Sequence, residues 1–131
     1  MSHLDSARTI TAALRSAIDA AADHLAGECE KDGRVSVSLM DDRQSVLYDL
    51  ASVASSVRAA ESMLEWGEAG DLEARLTLAW AADVYTDLFS RASGRWDAWG
   101  VQPTPVGLLT DDVHEAVGAG RDSAFLAALG E

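Results

Sequence analysis

The sequence predicts an all-α fold, an up-and-down bundle of three long helices closed by a short helical tail. Three observations predict it. Apolar residues recur at spacings of three and four along three extended stretches, the period of one helix face. The apolar fraction of 48% is carried largely by Ala, with only two Phe and two Tyr, a balance that favours closely packed helices. Both prolines fall beyond Gly100, so the first hundred residues carry none of the residues that most strongly interrupt a helix. A chain of 131 residues has room for one domain spanning 1–131, which would bury roughly two thirds of its unfolded surface.

The first helix is expected over 3–27. Leu4, Ala7, Thr11, Leu14, Ile18, Ala21 and Leu25 lie on one face, and Ser2 or Asp5 stands at its start. Glu28 to Gly33 is polar and ends in glycine, as a connection should. Arg34 to Ser38 alternates like a strand, but it is short and without an evident partner strand, so it reads as the lead-in to the second helix. That helix is expected over 38–68, with Leu39, Arg43, Leu47, Leu50, Ala54, Val57, Ala60 and Leu64 on one stripe and Val46, Val53 and Met63 widening it. A stripe so wide packs against two neighbours. Glu68-Ala-Gly-Asp71 breaks the pattern, and Asp71 is an expected N-cap. The third helix, over 71–93, carries Leu72, Leu76, Trp80, Val84 and Leu88 at strict spacings of four. The tail, 101–131, begins with a proline-containing loop. Thr110 or Asp111 then caps a short helix to about Val117, Gly118 to Gly120 interrupts it, and Asp122 or Ser123 starts another. Short loops make successive helices antiparallel neighbours.

Charge narrows the function. The formal net charge is −12, and Lys31 is the only lysine among the basic residues. A field of that sign repels phosphate backbones and anionic lipid surfaces, so neither nucleic acid nor membrane is an expected partner. One cysteine, Cys29, closes no disulfide within the chain and completes no zinc spacing. The N-terminal residues lack the basic and apolar regions of a signal peptide, and no uninterrupted apolar window of about 18 residues is present. The expected location is cytoplasmic.

Chemistry-bearing patterns are few. Di-metal sites in helical bundles need Glu-x-x-His on two helices; none occurs, and no metal ligands are assigned. Glu61, Glu65 and Glu68 read as a solvated face. Asp83 lies between Trp80, Val84 and Tyr85, where a buried carboxylate would need a partner or would shift its pKa upward; an ion pair to Arg58, Arg75 or a neighbouring chain is the expected resolution. Neither an activated nucleophile nor a phosphate-cradling glycine loop is evident, so no catalytic residue is assigned. Trp66, Trp80, Trp96 and Trp99 are the other unusual feature. Trp96 and Trp99 fall together beyond the third helix, where such rings seal the bundle, meet a partner or lie against a flat ligand.

Two segments carry a resemblance. Gln44-Ser-Val-Leu-Tyr-Asp-Leu50-Ala51 through Ala59-Ala60 resembles a helix of the third, C-terminal helical domain of the acyl-CoA dehydrogenase family, which has Gln, then Leu-Ala six and seven residues on, then Ala-Ala-Arg. Trp80-Ala-Ala-Asp83-Val84 is similar to that family's Phe-Ala-Ser-Glu-Val, and Ala92 and Gly100 fall where the family has an Ala and the last Gly of Gln-x-His-Gly-Gly-x-Gly. The match spans about 60 residues. Glu61 stands where the family has Arg, Trp96 where it has His, and Asp97 and Ala98 where it has paired glycines.

The resemblance implies an acyl-CoA dehydrogenase C-terminal-domain-like bundle that oligomerises through its second and third helices. The family's loop approaches a flavin across a subunit interface, so by position Gln44, Arg95 and Trp96 are the candidate cofactor-binding residues. The Tyr-Glu-Gly-Thr segment that supplies the catalytic Glu in many members does not follow Gly100, and the 43 residues before Gln44 hold no flavin domain. The chain alone is therefore expected to bind no cofactor and to dehydrogenate nothing. FAD would enter through a complex, with this chain as a homo-oligomer or as an accessory subunit beside a flavoprotein. The alternative is a non-enzymatic helical interaction or adaptor protein.

Overall fold

A computed structural model describes residues 1–131 and is mostly helical. Helix α1 (His3–Glu28) is followed by a small antiparallel hairpin of β1 (Glu30–Lys31) and β2 (Arg34–Val35). Then come α2 (Val37–Asp42), α3 (Gln44–Trp66), a 3-10 turn (Gly67–Ala69), α4 (Asp71–Ala92), α5 (Trp96–Trp99), α6 (Asp111–Arg121) and α7 (Ser123–Leu129). No helix is long and apolar enough to cross a membrane. The bundle has four members: α1 and α4 pack against each other, and both also contact α3 and α6. Helices α3 and α6 therefore occupy opposite sides of the α1–α4 pair. One core of buried residues joins them, with Ile10 and Leu14 of α1, Val53 and Val57 of α3, Leu78 and Leu88 of α4 and Ala116 of α6.

Side-chain caps set several starts. Ser2 Oγ accepts from the Asp5 amide at 3.0 Å, Thr110 Oγ1 from Val113 at 3.3 Å and Asp122 Oδ2 from Phe125 at 3.0 Å, each relieving an orphan amide of a first turn. At α4 the cap position is Gly70, and Asp71 with Glu73 lies inside the first turn, where a carboxylate meets the positive end of the helix dipole.

The structure departs from the sequence reading in four places. The helix expected over 38–68 is interrupted at Arg43, whose φ of −117° and ψ of 19° leave the helical region. Asp41 and Asp42 place two carboxylates at the carbonyl end of α2, an unfavourable helix end. The Arg43 guanidinium instead donates to Leu39 O at 3.2 Å and to Glu28 at 2.8 Å.

Arg34–Val35 is a strand after all. Asp32 (φ 55°) and Gly33 (φ 76°) form a tight two-residue turn with both φ values positive, the geometry that an Asp-Gly pair favours in hairpins.

Leu72, Leu76 and Trp80 face outward, being 52%, 36% and 38% exposed, whereas Leu78, Ala81, Ala82 and Leu88 are wholly buried. A spacing of four overshoots one helical turn, so each step rotates by about 40° and the row from Leu72 to Leu88 sweeps about 160° around α4. It begins on the solvent side and ends in the core.

Helix α6 continues through Gly118 and Gly120 to Arg121 and serves as the fourth bundle helix. A Cβ on Gly120 would lie 2.7 Å from Ala82 Cβ and 3.1 Å from Leu78 Cδ1, while one on Gly118 meets nothing within 4 Å. Gly120 is thus a contact point between helices, and Gly118 is merely a weak helix former. Gly120→Val is expected to lower stability by about 1–3 kcal/mol through overpacking, and Gly118→Ala to raise it by up to about 1 kcal/mol. Urea unfolding of the two variants measures both.

Candidate functional site

The C-terminal ends of α1 and α4 and the α2–α3 junction converge with α5 at one end of the bundle. There a cleft of about 570 Å³ is lined by Glu28, Asp42, Arg43, Ser45, Arg95 and Asp97 among others. One of the lining guanidiniums, Arg95, is held by Asp49 of α3, whose side chain is only 15% exposed. Asp49 accepts from Arg91 at 2.8 Å and from Arg95 at 2.9 Å. Arg95 also donates to Ser45 Oγ at 3.2 Å, and Arg91 to Asp87 at 3.1 Å. The Asp87 and then the Asp49 carboxylates hold the Arg91 guanidinium in its protonated form and push its pKa above the usual value. On the facing wall Glu28 is paired with Arg43 and lies 3.8 Å from His24 Nε2.

The two guanidiniums in the cleft are thus already committed to carboxylates. An entering phosphate or carboxylate would have to displace Asp49 or Glu28, and it would meet Asp42 and Asp97 on the way. The cleft by itself is a poor fit for a flavin dinucleotide, whose diphosphate is anionic.

Of the residues singled out from the sequence, Arg95 lines this cleft, and Gln44 is exposed at the first position of α3 beside it. Trp96 is turned away: its ring meets Phe89 edge-on at 5.3 Å, and Phe89 meets Tyr85 at 4.7 Å. That aromatic row holds the loop before α6, because Tyr85 Oη donates to Leu108 O at 2.7 Å. Burial pushes the Tyr85 pKa up. Trp99 is 1% exposed and seals the core. Gly100 follows it at φ 72°, with the His24 ring packed where any side chain on Gly100 would project. Glycine at this position therefore has a local reason.

Asp83 is exposed rather than buried, and it is paired with Arg121 of α6. Asp49 was not evident from the sequence, because its partners lie 42 and 46 residues further along the chain. No group of three or more metal-ligating side chains forms, and Cys29 is buried and free.

A second surface stands out. Leu72, Leu76 and Trp80 lie exposed at successive turns of α4, and Trp66 at the end of α3 is also 47% exposed. Trp80 Nε1 donates to Ser56 O at 3.2 Å, which fixes the indole across the α3–α4 seam with its ring edge in solvent.

No protein-family model matches the chain, and no curated protein or solved structure is significantly similar to it.

The ion pair between Arg15 of α1 and Glu61 of α3 gives a pH prediction. Hydrogen bonding to Arg15 lowers the Glu61 pKa. A depressed folded-state pKa contributes stability that is present above the unfolded value and is lost as pH falls through the folded one. Glu61→Gln is therefore expected to be less stable at neutral pH by up to about 1 kcal/mol, the range of partly solvated pairs. The difference from wild type closes as pH drops below about 4. Thermal melts of both proteins across that range check it.

Proposed function

We propose that this chain is a helical docking subunit, a bundle similar to the C-terminal domain of acyl-CoA dehydrogenases that works beside a flavin-bearing partner. One observation carries the docking role: Leu72, Leu76 and Trp80, at successive turns of α4, stand on the outer surface of the bundle rather than in its core. Contiguous exposed apolar side chains on a folded domain mark a surface that another molecule covers. The resemblance of Gln44–Ala60 and Trp80–Gly100 supports a flavoenzyme as that other molecule. In this reading the partner supplies the catalytic residues and holds FAD, and Arg95 and Gln44 lie at the edge of the bundle nearest to the cofactor.

A second reading, a non-enzymatic adaptor, is favoured by the contacts these candidate residues already make within the chain. Arg95 is held by Asp49 and Ser45, so its guanidinium already has a structural task, and Trp96 has one against Phe89.

The two readings separate in one experiment. The tagged chain is recovered from a lysate of its native cells, and the eluate is examined for flavin absorbance. The docking-subunit reading predicts a yellow eluate with a co-purifying flavoprotein, lost on Trp80→Ser. A colourless eluate from the wild-type chain favours the adaptor. Arg95→Ala reports on the cofactor edge: loss of flavin with an unchanged melting temperature supports it, and a fall of several degrees with flavin retained assigns Arg95 to the fold.

A further inference from the structure

We infer that residues 30–42 form a hinged lid on the end cleft, clasped shut by the side chain of Arg43. The inference is independent of the docking role and concerns access to the cleft. The segment comprises the β1–β2 hairpin and α2, and none of its residues is buried. Val35 and Val37 are 71% and 72% exposed, and Leu39 is its one apolar side chain that is half-buried. Lys31, Asp32, Arg34, Asp41 and Asp42 enter no ion pair. A segment that buries so little apolar surface opens at a lower free energy than the core that carries it.

Both ends of the segment fall at pivots. Cys29 ends α1 at φ −96° and ψ 2°, and Arg43 separates α2 from α3 at φ −117° and ψ 19°. Each is an element-terminal residue outside the helical region, the kind of position that absorbs the backbone change of a hinge. Beyond these two residues the chain is anchored, since Leu25 of α1 and Val46 and Leu50 of α3 belong to the core. Rotation about the pivots therefore moves residues 30–42 and leaves the bundle in place.

The clasp is one guanidinium. Arg43 donates from Nη1 to Leu39 O at 3.2 Å and from Nη2 to Glu28 Oε2 at 2.8 Å, which ties the last turn of α2 to the end of α1. The main-chain bond from Ser36 N to Cys29 O at 2.7 Å closes the hairpin at the same place. Asp42 and Arg43 line the cleft together with Arg95 and Asp97, so opening widens the cleft, withdraws Asp42 and leaves Glu28 without its cation. The Arg43 and Glu28 side chains are 28% and 42% exposed. Salt screens a pair so solvated, and the lid loosens as ionic strength rises.

The test is amide hydrogen exchange on the full chain, resolved by NMR, for wild type, Glu28→Gln and Arg43→Gln. The Ser36 amide reports the hairpin and the Met40 amide reports α2, both being hydrogen-bonded in the closed form. Leu14 and Leu78 report the bundle. Relative to unprotected rates, Ser36 and Met40 are expected to exchange at least about 100-fold faster than Leu14 and Leu78. Glu28→Gln is expected to speed both lid amides by about two- to fivefold, the range of one partly solvated pair, and Arg43→Gln at least as much. Leu14 and Leu78 keep their wild-type rates. Raising salt from about 0.02 M to about 0.5 M accelerates the lid amides of wild type but not those of Glu28→Gln.

Four results would overturn the inference. Protection of Ser36 and Met40 equal to that of Leu14 and Leu78 would mean that no lid opens. Acceleration of only one of the two amides would mean that the hairpin and α2 do not move together. Acceleration that extends equally to Leu14 and Leu78 would make the pair a contact of the whole bundle. Unchanged exchange of Ser36 and Met40 in both variants would remove the clasp.

Discussion

The close pairing of α1 and α4 through small side chains is the constraint on which the rest of the structure depends. Ala7, Ala17 and Ala21 of α1 and Ala81, Ala82 and Ala92 of α4 are each at most 2% exposed. Alanine contacts place helix axes at the short end of the packing range, which leaves two grooves flanking the pair. Helix α3 fills one and α6 the other, the latter close enough that Gly120 meets Ala82 without space for a methyl group. The inward side of α4 is filled by Leu78, Ala81, Ala82 and Leu88, all wholly buried. Leu72, Leu76 and Trp80 stand on the outside of the same helix.

Arginine ties complete the arrangement. Arg15 links α1 to α3, Arg91 of α4 and Arg95 at the start of α5 are both tied to α3 through Asp49, and Arg121 links α6 to α4. Pairs on a solvated surface contribute little stability individually. Their larger consequence is electrostatic. Seven of the ten basic residues, Arg8, Arg15, Arg43, Arg75, Arg91, Arg95 and Arg121, are engaged within the chain. The surface presented to other molecules is therefore dominated by unpaired carboxylates, although Asp83 and Asp87 beside Trp80 are themselves paired with Arg121 and Arg91.

The helical class was legible from the sequence because the apolar spacing in α1 and the middle of α3 runs in the mixed threes and fours that hold one face. Helix α4 shows where that signal misleads: an unbroken spacing of four reads as a stripe but spirals, so the pattern named the helix and misplaced half its core. Asp32-Gly33 is a hairpin signal, obscured by strands of only two residues. Gly118 and Gly120 read as a helix stop, since close approach to Ala82 is a tertiary fact. At the bundle end, Arg95 was reached through resemblance. Asp49, which holds it, was hidden because an ion pair across 46 residues leaves no local trace. Trp96 followed the family position in the sequence, but its environment is set by Phe89.

The central claim, that α4 turns one apolar face inward and a second one outward, is tested most directly by melting Leu78→Asp and Leu76→Asp side by side under circular dichroism. The account predicts that Leu78→Asp abolishes the cooperative transition, because an unpartnered carboxylate in the core costs several kcal/mol, roughly the whole stability of a small domain. It also predicts that Leu76→Asp melts within about 3 °C of wild type, as surface substitutions do. A Leu76→Asp protein that fails to fold would place that residue in the core and contradict the account.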